Sequence, residues 1–262
     1  MSSIFRSLVR MSFLAAVVLL AAQTVDDYVR QGDEAYARFD DAKALEAYRM
    51  AVDADPTNYE ALWKLTRACI DVADHITRQE VNWEEKQKSL YKEAESYGRR
   101  AVRANPNDTW GHFYLSAALG KYALMLGKKQ QIELSRTVKA EIEKAIELDN
   151  TNDYAYHALG RWHRRMAEIG GAQRFIGGMI YGSIPKGTFE ESEQYLKKAV
   201  ELRPDYTNHH LELGRTYVAM KKYDLARQEF EKVLELPVTS SKCEDYKKEA
   251  RAELEALKRK AR

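Results

Sequence analysis

The chain has 262 residues, of which 31% are charged and 45% are apolar, a composition typical of folded globular proteins. Its formal net charge of +2 argues against a dedicated nucleic-acid binder, because such proteins carry a strong basic excess. The two cysteines are too few for a disulfide framework or a cysteine-based zinc site. Cys69 lies in an apolar helical pattern and is expected in the core, whereas Cys243 lies in a polar segment and is expected to be exposed.

The first 22 residues predict a targeting segment. Arg6 and Arg10 precede an apolar run at residues 11–22, and no acidic residue occurs before Asp26. The run suits the core of a signal peptide and is shorter than the ~20 residues that span a bilayer as a helix. It predicts export to a periplasmic or other extracytoplasmic compartment. A mitochondrial or cytoplasmic location is the alternative, because arginine and serine without acids also fit an organelle presequence.

From residue 25 onward the sequence is periodic. Helical runs that end in Ala-Val or Ala-Ile are followed by turn-forming residues at DPTN (55–58), NPND (105–108), DNTN (149–152) and RPDY (203–206). The first and last units share a spacing, since Gly32 precedes Ala44 by twelve residues and Gly214 precedes Ala226 by twelve. Self-similarity of this kind indicates a repeat solenoid.

This pattern resembles the tetratricopeptide repeat, a helix–turn–helix unit of about 34 residues in which small residues lie where the two helices cross. The resemblance implies an all-α fold, a right-handed superhelical solenoid of about five hairpins over residues 25–58, 59–108, 109–152, 153–206 and 207–238. The three middle units exceed the usual length and are expected to carry insertions. Residues 239–262 are expected to form a capping helix with a basic tail. Its apolar stripe would cover the last unit through Tyr246, Ala250, Leu254 and Leu257.

Three features resemble a narrower family, the regulator of microtubule dynamics proteins. They are ALWKLTRACIDVAD (residues 61–74), EIEKAIELDNTNDYAYHALGRWHRRMAEI (141–169), and an insertion with Gln173, Arg174 and Pro185 before TFEESEQYLKKA (188–199). The resemblance implies divergent tetratricopeptide repeats with enlarged middle units and no enzymatic activity. It also implies association with microtubules or organelle membranes, so tubulin is a partner suggested by resemblance alone.

The insertion at residues 170–187 holds six of the thirteen glycines. It is not a phosphate-binding loop, because Lys186 precedes Gly187 where that motif needs glycine before lysine. The first helix of unit four is expected to continue to about Ile180, and Thr188 is expected to cap the second helix with Glu191. The alternative is a mobile apolar flap over the groove, formed by Phe175, Ile176, Met179, Ile180 and Tyr181.

The first helix of each hairpin lines the concave side of a tetratricopeptide solenoid, and its inward residues reach a ligand. Tyr154, His157, Arg161 and Arg164 share one helix face and are expected to face solvent. Arginine grips carboxylate or phosphate with two hydrogen bonds, and aromatic rings supply rigid contact area. A wall whose cations are balanced by neighbouring glutamates is the alternative. The candidate ligand groove comprises Trp63, Arg67, Trp110, Phe113, Lys121, Tyr154, His157, Arg161, Arg164 and Arg215.

No catalytic residue, cofactor or metal site is predicted. His157 and His163 lie on different helix faces, and the HExxH and GxSxG motifs are absent. The leading hypothesis is a non-catalytic scaffold that binds a protein or peptide partner, or an anionic ligand, in its concave groove. One alternative is microtubule association, and the other is binding of an anionic phospholipid or acyl chain under the glycine-rich insertion.

Overall fold

A computed structural model describes residues 23–260, and these residues form twelve helices and no strand. The all-α prediction is confirmed. The predicted targeting segment, residues 1–22, lies outside the described residues. The helices are α1 (Val25–Ala37), α2 (Asp41–Ala54), α3 (Tyr59–His75), α4 (Trp83–Ala104), α5 (Thr109–Leu124), α6 (Lys128–Leu148), α7 (Asp153–Ala167), α8 (Gly171–Tyr181), α9 (Phe189–Leu202), α10 (Thr207–Ala219), α11 (Tyr223–Glu235) and α12 (Cys243–Lys260).

The helices pack as successive hairpins. α1 pairs with α2, α3 with α4, α5 with α6, and α10 with α11. α7 packs directly against α9, and the additional helix α8 lies between them in the sequence. The second helix of each hairpin packs on the first helix of the next, and α12 packs on α11 and α10. First helices also contact the first helices of neighbouring units, which puts them on the inner side of the curve. We call this side the inner wall.

Glycine at the helix crossing explains the repeat spacing. A Cβ added to Gly32 would lie 2.3 Å from the Tyr48 ring, and one added to Gly214 would lie 2.5 Å from the Phe230 ring. The aromatic ring of the second helix therefore fills the space that a side chain on the first helix would need. The repeated glycine allows the two helices of a hairpin to approach closely enough to bury that ring.

Units two and three are enlarged mainly by longer helices, and unit four is enlarged by the additional helix α8. α4 and α6 have 22 and 21 residues, whereas α2 and α11 have 14 and 13. The prediction that the first helix of unit four continues to Ile180 is wrong. α7 ends at Ala167, and Gly170 adopts extended backbone before the separate helix α8 begins. The capping box of Thr188 and Glu191 at the start of α9 is confirmed.

The C-terminal helix packs against the last hairpin. Ala250 and Leu257 of α12 are buried in the same cluster as Phe230, with Tyr246 and Leu254 packed beside them. Cys69 is buried in the core as expected. The expectation that Cys243 is exposed is wrong, because α12 begins there and its thiol is enclosed beside the Thr207 hydroxyl. Within residues 23–260, no helix combines the length and the apolarity needed to cross a membrane.

Candidate functional site

Aromatic side chains form a continuous row along the inner wall. Trp63 of α3 stacks on Trp110 and Tyr114 of α5, with ring centroids 5.7 and 5.5 Å apart. Tyr154 of α7 contacts Trp110 at 6.1 Å and Tyr206 at 5.2 Å. All five rings are half-buried. This aromatic row brings together Trp63, Trp110 and Tyr154 from the predicted groove and gives the wall a rigid, largely apolar surface.

Arg67 lies at the end of the aromatic row with rings around it. Its guanidinium carbon is 3.6 Å from the centroid of the Tyr36 ring and 5.4 Å from that of Trp63. One terminal nitrogen donates a hydrogen bond of 2.9 Å to the Tyr48 hydroxyl, and the buried Nε has no hydrogen-bond partner in the part of the chain that the structure describes. No carboxylate of residues 23–260 forms an ion pair with this guanidinium. The charge of Arg67 is therefore held mainly by aromatic faces.

Four tyrosines that surround Arg67 or extend the aromatic row were not predicted from the sequence: Tyr36, Tyr48, Tyr114 and Tyr206. Tyr36 and Tyr48 contact the Arg67 guanidinium, and Tyr114 is part of the aromatic row. Tyr48 belongs to a second helix and reaches the wall only because Gly32 leaves room for its ring. Spacing could have indicated Tyr114, which follows Trp110 by one helical turn on the same face.

Lys121 of the predicted groove is neutralised within the protein. Its ammonium group donates hydrogen bonds of 2.6 Å to both carboxylate oxygens of Asp74 on α3. Lys242 donates a third bond to Asp74 at 2.8 Å. Burial alone would raise the pKa of Asp74, but the two ammonium groups hold that pKa well below its usual range. Asp74 is therefore charged and already occupied by both lysines.

Residues 239–242, the closing segment, connect the last hairpin to the first two. Ser241 donates a hydrogen bond of 2.7 Å to Asp41 of α2, and Lys242 donates one of 2.9 Å to Asp71 of α3. The solenoid thus closes on itself. A cavity of about 70 Å³ remains between the closing segment and Tyr36. That volume accommodates a few water molecules.

Three of the predicted groove arginines surround one buried glutamate. Arg164 and Arg215 form ion pairs with Glu212 of α10, and the Nε of Arg161 lies 3.6 Å from its carboxylate. Burial alone would raise the pKa of Glu212, but the arginines hold it at about 2. The expectation that these arginines face solvent is wrong for Arg164, whose side chain is 12% exposed because it bridges Glu212 and Glu168.

Phe113 and His157 lie beneath the wall and do not line an open groove, since they are 8% and 6% exposed. The Nδ1 of His157 donates a hydrogen bond of 3.0 Å to the Nδ1 of His209, whose Nε2 donates one of 2.8 Å to Asp153. We assign these donors because the Asp153 carboxylate can only accept a hydrogen bond, so the proton of His209 is on Nε2. The Nδ1 of a neutral His209 must then accept, and the Nδ1 of His157 donates to it. Burial lowers the pKa of both histidines, and the neighbouring His209 lowers that of His157 further. Both rings are therefore neutral at pH 7.

The five flap residues lie on α8 and are exposed, from 38% for Tyr181 to 68% for Phe175. α8 buries none of its residues. Arg174 attaches the helix to the end of α7 through a hydrogen bond to the main-chain oxygen of Met166. Within residues 23–260, no side-chain hydrogen bond joins α8 to a predicted groove residue. Within residues 23–260, no group of three His, Cys, Asp or Glu side chains is placed to hold a metal ion.

Comparison with known proteins relates this solenoid to one family. The family model described as Regulator of microtubule dynamics protein 1-3 matches residues 28–258. Regulator of microtubule dynamics protein 1 of Mus musculus is 29% identical over 213 residues, which cover 80% of this chain and 68% of the relative. The Homo sapiens protein of the same name is 30% identical over 189 residues, 72% of this chain and 59% of the relative.

A solved structure supports the architecture. A thermophilic tetratricopeptide protein of Thermus thermophilus matches with a TM-score of 0.61 and 17% identity, over 87% of this chain and 98% of that chain. At this identity the match shows the fold alone, and it confirms the prediction of a helical-repeat solenoid. With the family model covering nearly the whole solenoid, the chain belongs to the regulator of microtubule dynamics protein family.

Proposed function

We propose that this protein is a non-catalytic scaffold whose inner wall binds an acidic segment of a partner protein. The solenoid fold and the family support the scaffold role. The environment of Arg67 supports an acidic ligand. Arg67 is the predicted groove cation that lacks a carboxylate partner among the described residues, whereas Lys121, Arg164 and Arg215 each pair with one or more carboxylates.

The surroundings of Arg67 favour a carboxylate ligand over a neutral one. Tyr36 and Trp63 exclude water from the guanidinium, and a charge-assisted hydrogen bond strengthens when water is excluded. The buried Nε of Arg67 has no hydrogen-bond partner among the described residues, so it can donate to a carboxylate oxygen of a ligand that displaces the groups covering it. Trp110 and Tyr154 continue the aromatic row away from this point and offer contact area to the residues that flank an acidic side chain.

Ligand entry beside Tyr36 requires the closing segment to move. The 70 Å³ cavity there is far smaller than the several hundred Å³ typical of ligand pockets. Ser241→Ala removes the hydrogen bond to Asp41 and should favour the open form. A ligand that needs this form should then bind more tightly, in proportion to the gain in the open population.

Tryptophan fluorescence can test the proposal, because Trp63 lies 5.4 Å from the Arg67 guanidinium. The full-length protein is titrated with a synthetic oligoglutamate and with the oligoglutamine of equal length. Arg67→Met keeps a long side chain over Tyr36 and removes the charge. We expect it to weaken oligoglutamate binding roughly 10–100-fold, the value of a lost charged hydrogen bond.

Arg99→Met is the matched control, because Arg99 is 44% exposed on α4 and pairs with its neighbour Glu95. It should bind oligoglutamate like the unaltered protein, and melting curves should show both variants folded. Equal binding of oligoglutamate and oligoglutamine, or unchanged binding by a folded Arg67→Met variant, contradicts the proposal.

Microtubule association is the second candidate function, and the names of the family members support it. Lys248, Arg251, Lys258 and Arg259 are exposed on α12 and provide a basic surface there. Co-sedimentation with polymerised tubulin tests this candidate. We expect sedimentation that decreases with added salt and with charge removal at Lys248 and Arg251. Sedimentation that is insensitive to both changes contradicts a role for this surface.

A further inference from the structure

α8 concentrates exposed apolar surface in a way that no other described helix does. Five of the twelve large apolar side chains that are exposed in residues 23–260 belong to its eleven residues. Phe175 and Met179 are one turn apart, as are Ile176 and Ile180, so these four side chains form one patch on one helix face. Their exposed fractions range from 53% to 68%. The patch has no packing partner within the described chain.

The opposite face of α8 is fixed, which determines where the patch points. Arg174 donates hydrogen bonds of 3.1 and 2.7 Å to the main-chain oxygens of Ile184 and Pro185 and one of 2.5 Å to that of Met166. Gly177 lies against Ile184, since an added Cβ would be 2.8 Å from that side chain. Arg174 and Gly177 are three residues apart and share a face. The apolar patch is therefore held outward, away from the protein.

The surroundings of the patch are basic. Residues 169–188 include Arg174 and Lys186 and no acidic residue. Arg136 of α6 hydrogen-bonds to the main-chain oxygen of Ser183, which places the basic half of α6 beside the base of α8. That half of α6 has one acidic residue, Glu133, and four basic residues: Lys128, Lys129, Arg136 and Lys139.

We propose that α8 docks this protein on an anionic lipid membrane by inserting the Phe175–Ile180 face into the interface. An amphipathic helix with basic neighbours has the chemistry of an interfacial helix, and eleven residues are too few to span a bilayer. A second copy of the chain fits less well, because a symmetric contact would bring the two basic surroundings together. This surface is separate from the inner wall, so the inference stands independently of the proposed ligand.

A fluorescent probe on α8 tests the inference in the full-length chain. Cys69 and Cys243 are buried, so Met179→Cys supplies an exposed thiol for an environment-sensitive NBD label. Vesicles of phosphatidylcholine with about 30% phosphatidylserine are compared with pure phosphatidylcholine vesicles. We expect a blue shift and a several-fold rise in NBD emission with the anionic vesicles, and a smaller response at high salt.

Val81→Cys is the matched control, because Val81 is 79% exposed on the loop between α3 and α4. Its label should not respond even if residues 1–22 attach the chain to the vesicle. Ile176→Asp with Ile180→Asp should abolish the response at residue 179 and leave the circular dichroism spectrum unchanged. Equal responses at residues 81 and 179, or no response at 179 with either vesicle, overturns the inference. A blue shift that grows with protein concentration without vesicles identifies a second copy as the occupant and also overturns it.

Discussion

The inner wall and α8 differ in whether their side chains find interaction partners within the protein. On the inner wall, Glu212, Asp74 and the lysines and arginines around them are buried or half-buried and form paired networks. On α8, Phe175 and Met179 remain exposed and pack against no neighbouring unit among residues 23–260. In a solenoid, each unit receives its packing partners from the units before and after it. An inserted helix has no such neighbour, so its apolar surface stays available for an external partner.

The largest effect on stability is expected when the buried carboxylate at the centre of the arginine network is removed. Glu212→Ala leaves Arg161 and Arg164 without their shared carboxylate, and breaking a buried ion pair typically costs about 3–5 kcal/mol. Urea unfolding should show this loss. Glu201→Ala is the control, since Glu201 is 68% exposed and pairs with Lys198, and it should cost less than about 1 kcal/mol. Equal losses would mean that the wall charges do not stabilise the fold.

Acid should destabilise the inner wall in two pH windows. The native pKa values of His157 and His209 are lowered, chiefly by burial. As the pH falls below about 6.5, these two histidines therefore become protonated in the unfolded chain before they do so in the folded protein, which favours unfolding. The free energy of unfolding should then fall by up to about 1.4 kcal/mol per pH unit for each histidine. Glu212, with a native pKa of about 2 against 4.5 unfolded, adds a second loss below pH 4.5.

Urea midpoints at pH 7.5, 6.5 and 5.5 measure the first window. His157→Gln should reduce the slope there, because it removes one of the two buried titrating rings. The groups that face His157 are His209, Arg161, Arg164 and Glu212. A flat profile in the unaltered protein contradicts the buried neutral histidine pair.

The smallest effect is expected on α8. A Cβ added at Gly178 would meet no atom within 4 Å, so Gly178→Ala should stabilise this helix by about 0.4–1 kcal/mol. Gly182 has a φ of +80° and a ψ of −178°, a backbone conformation that is almost confined to glycine, so Gly182→Ala should instead destabilise the end of the helix by about 1–3 kcal/mol. Amide hydrogen exchange within α8 should show both changes, while the global melting temperature stays nearly constant. A global shift of several degrees would mean that α8 packs like a repeat helix.

Local spacing predicted the hairpins well because each helix crossing is encoded within one unit. Gly32 and Tyr48 lie sixteen residues apart in sequence and meet at one crossing. The partner of Arg164 could not be predicted in the same way, since Glu212 is 48 residues away in another unit. Which residues of separate units meet depends on the curvature of the whole array, and that curvature sums small rotations that sequence patterns do not record.

The closing segment changes how this solenoid should fold and unfold. Tetratricopeptide arrays are held by contacts between neighbouring units, so an open array can fray from either end. Here the hydrogen bond from Ser241 to Asp41 joins residues 200 positions apart. A contact between residues so far apart in sequence can form only after the intervening units have folded and packed into the curved array, so we expect this contact to form slowly. Once formed, it removes both free ends, so that the first and last hairpins should lose their structure together.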